Sequence, residues 1–300
     1  MVARTFLRRS LQIARENPSG CVGFLLVFAI VLPGLLAPVL PIADPNALNL
    51  AHRLQAPGRE FLLGTDQAGR DLFSRILWGS RESVTIALGA VGAGCIVGVT
   101  LGLIAGYMHG TIVELVITRA FDILFSVPLL VLAIAVMGII GSTKLAVGGF
   151  EISNTMKLIA LIALSFAPAL GRVAYASSLV EARSDYVRAK KAQGAGLLEL
   201  VFIDILPNAV PSVIVQATLF VGVAIIVEAS LSFVGLGVAP PTASWGTMLA
   251  DARTYIFSGE WWIAVFPGLA ICVTVVGFNL MGDALRDLLD PRGSSRSVFV

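Results

Sequence analysis

Charge is scarce in this chain of 300 residues. Only 13% of it is Asp, Glu, Lys or Arg, against about 25% in soluble domains. Hydrophobic residues make up 57%, so a membrane protein is favoured before any motif is read. The net charge of +2 is too small to attract nucleic acid. Histidine occurs twice, His52 and His109, far apart in sequence, which argues against a His-built metal or catalytic site. Cys21, Cys95 and Cys272 all fall within apolar runs and read as buried, inert thiols without disulfide or metal spacing. No H-E-x-x-H and no G-x-x-x-x-G-K-[ST] occurs; Gly141-Ser142-Thr143-Lys144 is the nearest string and lacks the spacing. With neither histidine deep in a span, a Ser–His hydrolase has no base. The expectation is a non-enzyme that binds no metal, no cofactor and no nucleic acid.

In place of charge the chain has apolar length. Residues 1–20 carry Arg4, Arg8, Arg9 and Arg15 against Glu16 alone, and residues 21–43 are uncharged. A cleavable secretory signal has an apolar region of about 7–15 residues and a small-residue cleavage site. This run is longer, contains Pro33, Pro38 and Pro41, and reads as an uncleaved first span with its start held in the cytoplasm. Further spans are predicted at 84–108, at 123–141 with a kink at Pro128, and at 158–180, 209–235 and 261–282. The fold class is therefore all-α, a polytopic membrane protein of six transmembrane helices with both termini cytoplasmic. Residues 1–20 form a cytoplasmic segment, 21–290 one transmembrane domain and 291–300 a cytoplasmic tail. Within the domain lie an outer segment (44–82), an inner loop (181–207) and an outer loop (236–260).

Of the Lys and Arg residues, 13 then lie inside and 8 outside, with five of the outer eight between 44 and 82. Trp78, Trp245, Trp261 and Trp262 all fall near span ends on the predicted outer side, as an aromatic belt would. In Arg70 to Ser80, Leu72, Phe73, Ile76 and Leu77 form one stripe and Asp71 and Arg75 another, the pattern of a helix lying in the interface. Gly94, Gly98, Gly102 and Gly106 repeat every four residues, so one stripe of the second span has no side chains and is suited to close helix contact in lipid. Arg119 and Asp122, at i, i+3, can pair at the inner surface, and Arg172 should sit near the same interface.

Residues 181–208, EARSDYVRAKKAQGAGLLELVFIDILPN, are the longest polar interval between two strongly apolar segments. Helix formers run to a break at Gly194-Ala195-Gly196. Leu197, Leu198, Val201, Ile205 and Leu206 then recur at helical spacing with Glu199 and Asp204 polar, and Pro207 closes the piece. The reading is two short helices with a glycine elbow, held at a membrane surface to press on a partner. Arg188, Lys190 and Lys191 read equally as contacts to lipid phosphate. Glu228 lies inside a predicted span, where an acid faces a partner or an aqueous path. It reads as a structural acid bonded to Ser230, Ser232 or backbone amides, or as a gate or a contact to a substrate amino group. Gly64 to Asp71 reads either as a docking segment using Asp66, Arg70 and Asp71, or as a turn hinged at Gly64 and Gly69 and held by an Asp–Arg pair. Pro240, Pro241 and Trp245 suggest a rigid outer loop nearby.

Tyr186 to Asn208 resembles the cytoplasmic loop shared by permeases of ABC importers. Ala189, Gly194 and Pro207 keep the register of that motif; Arg188 occupies the position of its Glu, as is usual in the peptide branch. Lys190 and Asp204 stand where that branch often has Ala and His. Leu63 to Arg81, Glu228 to Leu249 and Asn279 to Arg292 resemble, in the same order, segments of the C-type subunit of dipeptide and oligopeptide importers. The resemblance implies the type I ABC importer permease fold in a bacterial inner membrane and no cofactor in this chain. ATP would be used by two ABC ATPase subunits beneath. A B-type permease subunit would complete the pore, and an extracytoplasmic substrate-binding protein would dock outside. Tyr186, Arg188, Ala189, Lys190, Gly194, Ala195, Leu206 and Pro207 would couple to the ATPase. Gly64, Asp66, Gly69, Arg70, Asp71, Glu228, Pro240, Pro241 and Trp245 would serve docking or an outer gate. Peptides are the expected cargo, with glutathione or nickel complexes as the alternative. An ion-coupled transporter would need paired midplane acids, and a membrane scaffold would not need the ordered loop.

Overall fold

The computed structural model describes residues 17–140, 145–147, 150–255 and 258–289. Arg4, Arg8, Arg9, Arg15, Gly141 to Lys144, Arg292 and Arg296 lie outside them. The helices are α1 (Pro18–Leu36), α2 (Leu72–Tyr107), α3 (Ile112–Ser126), α4 (Leu129–Ile140), α5 (Asn154–Glu181), α6 (Asp185–Ala192), α7 (Leu197–Phe233), α8 (Trp245–Ala252) and α9 (Trp262–Leu289). A short antiparallel pair, β1 (Leu145–Val147) with β2 (Phe150–Ile152), precedes α5. Five helices are long and apolar enough to cross a membrane, and six spans result if the bent pair α3 and α4 makes one.

The glycine stripe of α2 makes the close helix contact expected of it, and its partner is α5. A Cβ on Gly94 would meet the Ala163 carbonyl oxygen at 3.2 Å, and one on Gly106 the Tyr175 carbonyl oxygen at 2.6 Å. At Gly98 and Gly102 the same space is filled by the carbonyls of Ala167 and Gly171. Ser178 stitches the pair by donating to the Leu103 carbonyl at 2.8 Å. A second close contact went unread in the sequence: a Cβ on Gly23 of α1 would meet the Gly277 carbonyl oxygen of α9 at 2.7 Å, and one on Gly20 would meet Ala284. These pairings put the start of α1, the end of α9 and residues 181–208 at one end of the bundle.

Four expectations are corrected. The stretch Arg70 to Ser80 is not a separate surface helix but belongs largely to α2, which runs unbroken for 36 residues. At 1.5 Å per residue α2 is about 54 Å long and overshoots a hydrocarbon core of about 30 Å, so its charged first turns stand outside. The third span is not one kinked helix over 123–141. Its halves meet at 88° between Ser126 and Leu129, because Pro128 offers no N–H and pushes Val127 to an extended ψ of 120°. Trp245 and Trp262 are not belt anchors. Both are buried, and their indole N–H groups donate to the carbonyls of Ile76 (3.0 Å) and Thr65 (3.2 Å). Cys272 is exposed rather than buried; an apolar run in a membrane helix does not separate inward from lipid-facing positions.

Candidate functional site

Residues 181–208 fold as two helical pieces joined at an elbow. Asp185 in its first turn and Lys190 and Lys191 in its last complement the dipole of α6. The helix stops because Gly194 takes φ +93°. There the Gly194 N–H donates to the Lys191 carbonyl at 3.1 Å, and the Ala195 N–H reaches back to the Lys190 carbonyl at 3.2 Å. This is the two-bond C-terminal stop that glycine favours, since any Cβ is penalised at that φ. The elbow at Gly194 is therefore as read from the sequence.

Beyond the elbow, two readings fail. Leu197 and Leu198 do not pack inward; they are 38% and 67% exposed, and Leu200 with Val201 and Ile205 takes the buried face. The change of face follows from a π turn over Leu200–Ile205, whose wider winding shifts the register that a 3.6-residue period predicts. Pro207 does not close a helix either: the π turn runs straight into Leu206–Phe233, and Pro207 stands where the winding changes from π to α. Val187, Leu200, Val201, Ile205, Ala209 and Val213 form one apolar cluster with Val99, Leu103 and Ala174, which seats the segment on α2, α5 and α7.

Polar side chains then lock it. Lys190 Nζ donates to Asp204 Oδ1 at 2.6 Å across the elbow. The two residues that depart from the family pattern thus pair with each other. That hydrogen bond pushes the Lys190 ammonium above its ordinary pKa. Tyr186 donates to Glu181 Oε2 at 2.6 Å and accepts from Asn208 Nδ2 at 2.9 Å. Burial, and then Glu181, push the Tyr186 phenol above its usual value. Glu181 and Asn208 carried no assigned role in the sequence; the i, i+5 spacing of Glu181 and Tyr186 across a turn gave no helical signal. Lys191 lies 5.6 Å from the Tyr107 ring centroid. Leu206 and Ala195 back the segment from its half-buried side, while Arg188, Ala189, Ala192 and Gly194 remain exposed. The outward surface is thus slim, with a cation at Arg188 and an apolar edge at Leu197 and Leu198.

At the opposite end, Gly64 to Asp71 form a turn with positive φ at Gly64 (80°) and Gly69 (72°). Asp66 is buried and takes the Ala68 and Arg70 N–H groups on Oδ1, at 2.8 and 3.0 Å, and Arg70 Nε on Oδ2 at 2.6 Å. Asp71 does not pair with Arg75. It caps α2 through the Ser74 N–H (2.9 Å) and hydroxyl (2.6 Å), while Arg75 Nε lies 3.5 Å from Asp66. Both carboxylates are thereby engaged within the chain. Pro240 and Pro241, joined by a cis peptide, are exposed, and Trp245 opens α8 from the interior. Glu228 has no exposed surface and accepts hydrogen bonds from Ser83 (3.0 Å), Ser232 (2.7 Å) and Ser244 (3.0 Å). Ser232 was foreseen. Ser230 instead donates to the Ile226 carbonyl, and Ser83 and Ser244 come from parts of the chain that periodicity does not connect.

Residues 98–294 match the family described as binding-protein-dependent transport system inner membrane component. The chain belongs to that family. The permease is 41% identical over 292 residues to the di/tripeptide transport system permease protein DppC of Pseudomonas aeruginosa, covering 95% of this chain and 92% of that one. It is 38% identical over 288 residues to the dipeptide transport system permease protein DppC of Alkalihalophilus pseudofirmus, covering 96% and 90%. The glutathione transport system permease protein GsiD of Pectobacterium atrosepticum is 36% identical over 289 residues, covering 96% and 91%. Among solved structures, the inward-facing MetNI methionine ABC transporter superposes with a TM-score of 0.56 at 18% identity, over 71% of this chain and 95% of that one. The fold is that of a type I ABC importer permease, and the permease is a multi-pass membrane protein.

Proposed function

We propose that this permease forms half of the translocation pore of an ATP-driven peptide importer, with di- or oligopeptides as cargo. A B-type permease subunit completes the pore. Two ABC ATPase subunits bind the 181–207 lever, ATP is used by them alone, and an extracytoplasmic binding protein docks at the end that carries Pro240 and Pro241. Both termini and the lever face the cytoplasm. The observation that carries this reading is the lever itself: a stiff α6 stopped at Gly194, clamped to α7 by Lys190–Asp204 and leaving Ala189, Ala192 and Leu198 uncovered. The relatives named for dipeptide and di/tripeptide transport support the cargo class. Glutathione, itself a peptide, is the second reading, favoured by the relative named for it. An open cavity of about 440 Å3 among α5, α7 and α9 presents Ser212, Gln216 and Arg286. Such groups suit a water-filled path better than lipid.

The test is co-expression of the permease with the ATPases encoded beside it. The permease alone hydrolyses no ATP, and the assembled complex does. Ala189→Arg, which thickens the slim face, abolishes ATP-dependent peptide uptake at normal membrane insertion. Normal uptake by that variant, or labelling of a Gly194→Cys variant from the extracytoplasmic side, overturns the reading.

A further inference from the structure

We propose that Glu228 is a positioning residue that fastens the outer end of the molecule to α7, so that α7 carries the state of the outer face to the inner lever. Three segments converge on its carboxylate. Oε1 accepts from Ser232 of α7 itself and from Ser244, the N-cap of α8; Oε2 accepts from Ser83 of α2. Each of the two distant serines has a further task. Ser244 Oγ also takes the Thr247 N–H at 3.2 Å in the capping box that starts α8, and Ser83 Oγ takes the Trp245 N–H at 3.3 Å. Two carboxyl oxygens can take the three hydroxyl donors between them, whereas an amide offers one oxygen and a donating NH2. The surrounding backbone leaves no slack, since a Cβ on Gly246 would lie 2.6 Å from Ala229 Cα of α7, and one on Gly79 would lie 3.2 Å from the Trp245 ring.

The same α7 is held at its other end by Lys190 on Asp204 and by Tyr186 on Asn208. It runs unbroken for 37 residues, about 55 Å at helical rise, and ends in polar clamps to segments at opposite faces of the bundle. A displacement of α8 therefore moves α7 through Glu228 rather than sliding over it. The consequence for the importer rests on the proposed function: whatever docks outside changes the ATPase through this helix.

The experiment uses the full complex in lipid vesicles with its binding protein and peptide. E228Q is expected to lower the factor by which loaded binding protein stimulates ATP hydrolysis at least about fivefold, the lower bound of ordinary allosteric coupling, while binding-protein affinity keeps its wild-type value. S83A and S244A, which each remove one donor, fall between. Wild-type stimulation in assembled E228Q or in both serine variants overturns the proposal, and so does lost docking, which would make Glu228 a docking residue. Hydrogen exchange across 185–196 supplies a readout independent of the ATPases: faster exchange in the variants supports the linkage, and unchanged exchange overturns it. If the wild-type complex shows no stimulation but exchange responds, the peptide-importer reading fails and the linkage stands.

Discussion

Replacing Gly98 by Ala adds one methyl group, and the structure says what that group meets. Its carbon would lie 2.9 Å from the Ala167 carbonyl carbon and 3.0 Å from Ala167 Cα, with the carbonyl oxygen closer still. All three are backbone atoms of α5, so no rotamer change relieves the clash; α2 and α5 must part. Overpacking of this kind costs about 1–3 kcal/mol, against a gain of about 0.5–1 kcal/mol from replacing Gly by Ala in a helix. Net destabilisation of about 0.5–2 kcal/mol is expected. Gly102→Ala meets the Gly171 carbonyl in the same way, one turn further on. Because either change separates the same two helices, the pair should cost less than the sum, which is the signature of shared strain. Gly92→Ala is the control: nothing lies within 4 Å, so only the helix-propensity gain remains. Thermal unfolding of the purified protein in one detergent, followed by tryptophan fluorescence, measures all four. The reasoning is refuted if Gly98→Ala melts with Gly92→Ala, or if the double variant is strictly additive.

Four further outcomes follow from the same geometry. Val187 is the one buried residue of α6, so Val187→Asp should release the lever, seen as rapid exchange over 185–192, whereas Val187→Ala loosens it only partly, by about 1–2 kcal/mol. Asp204→Lys should impair uptake, and combining it with Lys190→Asp should restore much of it, since the pair is isolated enough to be reversed; no rescue would mean the two residues act separately. A raised Lys190 pKa adds stability that is complete below the ordinary lysine value and is lost only as pH rises through the raised one. Protection of α6, with the ordinary hydroxide-catalysed rise of amide exchange divided out, should therefore be flat from neutral to mildly alkaline pH and fall only in strong alkali. Trp245→Phe removes the donor to the Ile76 carbonyl of α2 and should cost about 1–3 kcal/mol in the same unfolding assay.

The sequence displays whatever repeats at a helical period or breaks it. Gly94 to Gly106 recur every four residues, so a close helix contact along α2 was visible without coordinates, though not that α5 makes it. Gly194 interrupts a run of helix formers, so the elbow was visible too. Features made by residues far apart were not. Glu228 stood out as an intramembrane acid, yet two of its three partners lie 145 and 16 positions away, and no periodicity links them. Gly23 and Gly277 are single glycines in different helices and become a contact only once α1 lies on α9. The π turn at Leu200–Ile205 misdirected the reading of Leu197 and Leu198, because a 3.6-residue period was applied where the backbone winds more widely. Asp71 and Arg75 share a polar stripe, yet Asp71 spends its carboxylate on the N-cap, and the Asp–Arg pair that holds the turn is Asp66 with Arg70.

These misses share a cause that bears on how the permease works. Along the lipid-crossing parts, helices touch through glycine and apolar side chains, contacts that pair no donor with an acceptor. Polar contacts fix register, because each donor has one acceptor. Among the described residues, the polar contacts that hold α7 to other segments stand near its two ends: Lys190–Asp204 and Tyr186–Asn208 at one, Glu228 with Ser83 and Ser244 at the other. A helix pinned at both ends and packed through its middle on α2, α5 and α9 can tilt as a body but cannot slip past its clamps. Motion imposed on the lever must then reappear at α8, and cutting either clamp should break that transfer while leaving the glycine-packed bundle assembled.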